Sequence, residues 1–227
     1  MKNLSKLEEI SKDVRKDIMQ MLCNGGHFGG ALSCVEMLTF LHFDHLKNND
    51  KFVMSKAHAS VTYYSILAKK GIIDKKLLET YGQKGSCLGV HAESHMVPGV
   101  EFSCGSLGHG LSFGTGMALA KKIKKEKGKI YVLIGDGESQ EGSIWEAAMF
   151  ASHHKLDNLI AIVDYNKIQS AERVENIINL EPLVEKWKAF GWNVSEVEGH
   201  DFLELSDVFD SVSNENKKPS VIIAHTL

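Results

Sequence analysis

Three prolines, at positions 98, 182 and 219, leave this chain without any Pro-rich stretch that could act as a linker. No low-complexity segment or internal repeat divides it either, so its 227 residues read as a single domain, 1–227. The four cysteines, Cys23, Cys34, Cys87 and Cys104, form no C-x-x-C pair and no metal-type cluster, which argues against a zinc module or a disulfide framework. Free thiols without a secretory signal predict a cytoplasmic protein. Charge of one sign is also missing: 26 basic residues against 29 acidic ones give a net charge of −3, so there is no electrostatic footprint for nucleic acid or an anionic membrane. The one basic run, Lys121–Lys127, follows an apolar segment and reads as the solvated end of a helix. No apolar run approaches the roughly 18 residues that span a bilayer.

The 43% of hydrophobic residues suffices for a sizeable core, and their pattern is that of an α/β protein. The clearest stretch is Ile130–Gln169, IYVLIGDGESQEGSIWEAAMFASHHKLDNLIAIVDYNKIQ. Two runs rich in β-branched residues, Ile130–Ile134 and Leu159–Val163, have the polar-free character of strands buried on both faces. Between them Ser143–Lys155 places Ile144, Ala147, Ala148 and Ala151 on one helical face. This is a βαβ unit, with parallel strands and a right-handed crossover. The first strand ends in Gly135-Asp136-Gly137 and the second in Asp164-Tyr165-Asn166. Ligands of open parallel sheets sit beyond the carboxyl ends of the strands. If these strands are neighbours, about 4.8 Å apart, Asp136 and Asn166 can share one Mg²⁺, an ion that takes few protein ligands and completes its shell with water and phosphate. The flanking glycines let backbone N–H groups approach that phosphate.

Elsewhere the pattern predicts a helix over 4–22, a glycine-rich loop over 24–30, and a helix over 31–46 with Leu32, Val35, Leu38 and Leu41 facing inward. His42 and His45 fall at its end, read as a partly exposed terminus rather than a metal pair. Phe52–Met54 is a short buried strand, and two helices separated by Gly71 occupy 60–81. His91 and His95 form H-x-x-x-H without the glutamate of a zinc-protease motif. Gly105–Gly110 opens a helix over 111–125, but Gly108, Gly110 and Gly114 miss the dinucleotide spacing G-x-G-x-x-G. A helix ending at Phe190, a strand ending at Glu198, a helix over 203–213 and a strand over 220–224 complete the chain.

GDG, followed about thirty residues later by an Asn at the end of the next strand, is the thiamine diphosphate motif. Its version here, GDGESQEG-x-x-WEA…LDNLIAIVDYNKIQ, closely resembles that of transketolases. Similar segments run through most of the chain: a GH-x-G loop at His27, FV-x-SK-x-HA at Phe52–Ala59, PGVE at 98–101, GSLG-x-G at Gly105–Gly110, and EPL…KW-x-AFGW with GHD near the end. The resemblance implies a three-layer thiamine diphosphate-binding fold with a mainly parallel central sheet flanked by helices. It implies that His27 contacts the sugar, that His91 is a second catalytic histidine, and that His58 contacts the cofactor diphosphate. Gly105, Ser106 and Leu107 would meet the aminopyrimidine ring, with Gly137 and Asn166 completing the cofactor contacts. Asp136, Asn166 and Ile168 would hold Mg²⁺, with Ca²⁺ or Mn²⁺ as substitutes. Glu141 and Glu146 match acidic positions near the subunit interface. The chain departs from the family at Ala57 (Gly), Ala92 (Pro) and His109 (Gln). A later loop histidine of the family is also absent, so either the chain is shortened or the site manages with fewer donors.

The resemblance covers only the diphosphate-binding half of a transketolase. It therefore implies a split transferase (EC 2.2.1.-) working with a separate C-terminal, pyrimidine-binding subunit in an α2β2 assembly. Together they would pass a two-carbon ketol unit from a ketose phosphate to an aldose phosphate. Two alternatives remain: a non-catalytic scaffold of the same fold and, more weakly, a 2-oxo acid decarboxylating subunit.

Overall fold

The computed structural model describes residues 3–23, 25–170, 172–213 and 217–227. Helix α1, Leu4–Met21, starts where the Asn3 side chain accepts the Lys6 N–H, and it buries Leu7, Val14, Ile18 and Met21. Two short helices follow, α2 (Phe28–Leu32) and α3 (Val35–Phe40), the latter running into a wide π-type turn at Leu41–His45. Strand β1 is Lys51–Met54 and α4 is Ser60–Lys69, trailed by a 3₁₀ turn at Lys75–Thr80. After a long segment of turns come α5 (His109–Lys124), β2 (Ile130–Gly135), α6 (Gly142–His153) and β3 (Leu159–Tyr165). A small hairpin, β4 (Ile168–Gln169) with β5 (Glu172–Arg173), leads to α7 (Val174–Ile177) and α8 (Leu183–Ala189). The chain closes with β6 (Asn193–Glu198), α9 (Phe202–Ser213) and β7 (Ser220–His225).

Five strands form one sheet in the order β1-β2-β3-β7-β6, and every pairing is parallel. The pleat sends alternate residues to opposite faces. Tyr131, Leu133, Ile160 and Ile162 join the core beneath α1, α3, α4 and α9, while Ile130, Val132, Ile134, Ala161 and Val163 join the core beneath α5, α6 and α8. The result is the expected three-layer α/β architecture, with β2 and β3 adjacent and Gly135 paired to Asp164. That register sets the GDG turn and Asn166 side by side at one edge of the molecule. Among the described residues no helix is long and apolar enough to cross a membrane.

Two sequence expectations need correction. Of the glycine loop, Asn24 lies outside the described residues, and Gly29 and Gly30 are helical rather than looped, within α2. Packing overrides propensity there: a Cβ on Gly30 would lie 2.9 Å from His58 Nε2, so the helix can pass this close only as glycine. His42 and His45 are buried, not partly exposed. The wide turn rolls them into an aromatic cluster, with His42 edge-on to Phe52 and His45 Nε2 2.9 Å from the Tyr131 hydroxyl. Burial, followed by the Lys70 charge, pushes His42 down to about 3, leaving it neutral.

Candidate active site

The carboxyl ends of three adjacent strands build the floor of a cavity of about 520 Å³. β1 leads into Ser55-Lys56 and then His58, β2 into Asp136 and Gly137, β3 into Asn166. Around the rim stand His27, just ahead of α2, and His91 with the Gly105–Leu107 loop that precedes α5. All the sequence-predicted site residues except Ser106 line this one cavity; Ser106 is exposed on the same loop. Glu141 and Glu146 lie outside it, exposed at the start and on the outer side of α6.

Asp136 is 3% exposed. Its two carboxylate oxygens accept the Gly137 N–H at 2.7 Å and the Lys167 N–H at 2.6 Å. Burial nevertheless dominates and pushes its pKa up to about 6. Asn166 Oδ1 accepts the Ile168 N–H at 2.9 Å. Ile168 has no polar side-chain atom, so only its main-chain carbonyl can serve as a ligand. His27 and His58 meet edge to face with ring centroids 5.4 Å apart. Burial first, then the Lys56 ammonium, pushes His58 down to about 4. It is therefore an uncharged ring at neutral pH, able to donate one N–H and accept at the other nitrogen.

Glycines shape the walls. A Cβ on Gly137 would lie 3.0 Å from Gln169, and one on Gly105 would lie 3.4 Å from His91 Nδ1. Gly110 approaches so closely that a Cβ would be 2.3 Å from that of Ser55.

Sequence reasoning missed Glu138. Its carboxylate is 2% exposed and accepts from Gly108 N at 2.9 Å, Gly135 N at 3.0 Å and the Ser55 hydroxyl. Burial raises its pKa, and those three donors partly offset the rise. The side chain thus ties the loop before α5 to the turns after β1 and β2. Position alone could have flagged it, being the first acid after the GDG turn. Lys56 and Asp164, a fully buried ion pair beneath the floor, were missed as well.

Among the described residues no three His, Cys, Asp or Glu side chains converge as a metal set. A cation here would rest on one carboxylate, Asp136, with the neutral oxygens of Asn166 and Ile168 beside it. That donor set suits Mg²⁺ shared with a diphosphate, and Asp136, charged at a cost, gains most from such a partner. The residues present fit the group.

Strand ends offering one anionic and one neutral oxygen, with glycine-cleared walls, define an α/β diphosphate-binding domain. Residues 10–227 match the family model described as transketolase, thiamine diphosphate binding domain. An apulose-4-phosphate transketolase subunit from Phocaeicola vulgatus is 43% identical over 97% of this chain and 82% of its own length. A 6-deoxy-6-sulfo-D-fructose transketolase subunit from a Clostridium species is 41% identical over 89% of this chain and 77% of its own length. Among solved structures, Campylobacter jejuni transketolase superposes with a TM-score of 0.92 at 34% identity, covering 99% of this chain. The chain belongs to the transketolase thiamine diphosphate-binding domain family. It spans 38% of the length of the C. jejuni enzyme.

Proposed function

We propose that this chain, acting as one domain over 1–227, is the diphosphate-binding subunit of a split transketolase. In this reading it works in the cytoplasm with a C-terminal, pyrimidine-binding subunit, in an α2β2 assembly. The observation that carries it is the convergence of His27, His58, His91, Asp136 and Asn166 on one cavity, in a chain whose relatives include proteins named as single subunits of apulose-4-phosphate transketolases.

Asp136, Asn166 and the Ile168 carbonyl would hold Mg²⁺, or Ca²⁺ or Mn²⁺ in its place. His58, uncharged, would give an N–H to a diphosphate oxygen, and Gly137 would offer its neighbourhood without a side chain in the way. Gly105, Ser106 and Leu107 would flank the aminopyrimidine. When bound, thiamine diphosphate supplies the carbon nucleophile that allows a C–C bond to be broken and re-formed. His27 and His91 stand at the open side, where an imidazole can give or take a proton at the sugar oxygens as their charge changes. The substrates on this reading are a ketose phosphate donor and an aldose phosphate acceptor, exchanging a two-carbon ketol unit (EC 2.2.1.-).

The test is to purify the chain alone and together with a pyrimidine-binding transketolase subunit encoded beside it. Ketol transfer should require both, plus thiamine diphosphate and Mg²⁺. Turnover by the chain alone, or none by the pair, would refute the split-enzyme reading.

A further inference from the structure

Two buried side chains under the cavity floor have no part in the reading above. Lys56 is 1% exposed and Asp164 0%, and they form an ion pair. Such a pair contributes little net stability, because desolvating both charges costs about what their attraction returns, and packed apolar residues often do as well. Its neighbours show a more specific use. Ser33 Oγ stands 2.6 Å from Asp164 Oδ2, 3.4 Å from Lys56 Nζ and 3.5 Å from Asn166 Nδ2. On the other side, Thr226 Oγ1 stands 2.5 Å from Asp164 Oδ1.

Donor and acceptor accounting gives these contacts a direction. A hydroxyl carries one proton and two lone pairs, an ammonium only donates, and a carboxylate only accepts. Ser33 must therefore spend its proton on Asp164 and one lone pair on Lys56. Only an accepting site is left on the oxygen. It attracts the Nδ2 end of Asn166 and repels the Oδ1 end. From the opposite side the Ile168 N–H, which can only donate, meets Asn166 Oδ1 at 2.9 Å. Both neighbours demand the same orientation of the amide. Remove the charge pair, and the Ser33 proton is free to turn toward Asn166 and reward the reversed amide.

We propose that Lys56, Asp164 and Ser33 are positioning residues, a buried relay of hydrogen-bond polarity that sets which end of the Asn166 amide faces the metal–diphosphate site. The relay rests on the functional reading above, since it gives Asn166 Oδ1 a ligand's role. Outer partners of metal ligands are typically worth about 10- to 100-fold in affinity. A relay acting only through Asn166 has a signature that a structural ion pair lacks: its effect vanishes when Asn166 is gone.

The experiment titrates Mg²⁺ and thiamine diphosphate into the chain assembled with its pyrimidine-binding subunit, using calorimetry, and records unfolding midpoints on the same samples. Ser33→Ala removes the hub and keeps the ion pair. Lys56→Met with Asp164→Leu removes both charges, so neither is left stranded. Each variant should fold and bind at least about tenfold more weakly than the native complex. In an Asn166→Ala background, Ser33→Ala should cost nothing further. Native-like affinity in both folded variants would overturn the relay, and so would a Ser33→Ala loss that persists at full size without Asn166. If the native complex takes up no Mg²⁺–thiamine diphosphate, the functional reading itself fails and the relay falls with it. If the native complex binds and only the coupling is missing, the relay alone is wrong.

Discussion

Replacing Asp136 with asparagine should disable the site and yet strengthen the ligand-free fold. Burial holds this carboxyl at about 6, against 3.8 for an unperturbed aspartate. Between those values the folded chain keeps a proton that the unfolded chain has lost, so stability falls as pH rises through the window. Each pH unit is worth about 1.36 kcal/mol, which puts the cost of an ionised Asp136 at about 3 kcal/mol above pH 6. Asparagine carries no such cost. Its single carboxamide oxygen can satisfy only one of the two N–H donors, from Gly137 and Lys167, and the lost hydrogen bond costs about 1–1.5 kcal/mol. The expected balance for Asp136→Asn is a gain of about 1–2 kcal/mol at pH 7.5, with none at pH 4.5, where native Asp136 is already mostly protonated. Urea unfolding of the ligand-free chain at both pH values measures this. Adding Mg²⁺ and thiamine diphosphate to the assembled complex should then stabilise the native protein and leave the variant unmoved. A variant less stable than native at both pH values would refute the argument that Asp136 is ionised at a cost.

His27→Ala should lower ketol transfer by more than it lowers cofactor affinity, since this ring stands at the open side of the cavity. Equal losses, by kinetics and calorimetry, would place it on the cofactor instead. Gly110→Ala drives a Cβ to within 2.3 Å of Ser55 and should cost about 1–3 kcal/mol, read as a lower unfolding midpoint together with weaker cofactor binding; an unchanged midpoint would mean the approach is not tight. Arg15, Glu36 and His200 form a linked ion cluster between α1, α3 and the loop before α9. The Glu36 hydrogen bond raises the pKa of His200 above 6.5. Burial works to raise Glu36, but the hydrogen bonds from His200 and Arg15 outweigh it and lower its pKa below 4.5. The His200 contribution is full below 6.5 and lost as pH climbs through its raised value; the Glu36 contribution is full above 4.5 and lost as pH falls through its lowered value. Stability from the cluster should therefore peak between 4.5 and 6.5. His200→Gln should flatten the decline above that window, and thermal midpoints at pH 5.5 and 8.5 that decline as in the native chain would contradict it.

The βαβ unit was legible because its strands are apolar on both faces and its turns are glycine-marked, so local pattern and final environment agree. The strand neighbours were less so. β7, the last strand, lies between β3 and β6, and nothing within Ser220–His225 names its partners. His42 and His45 misled because i, i+3 spacing defines a face without saying which way it turns; the π-type turn rotated it into the core. Gly29 and Gly30 misled for a related reason, since their helix is held by His58 packing against it and not by propensity. The site residues came into view through short motifs. What supports them did not: Glu138, Lys56, Asp164 and Ser33 are common residue types made significant by contacts up to 133 positions apart, as between Ser33 and Asn166.

Glu138 bears on how the site meets its ligand. Three segments that in many binding sites would be separate flexible loops are here hung from a single carboxylate. The entropy of ordering them is spent once, at folding, and is not charged again to each binding event. A floor assembled in advance has no open form to wait for. The rate of loading should then depend on how the ligand enters and how the partner subunit closes over it, and not on any rearrangement beneath.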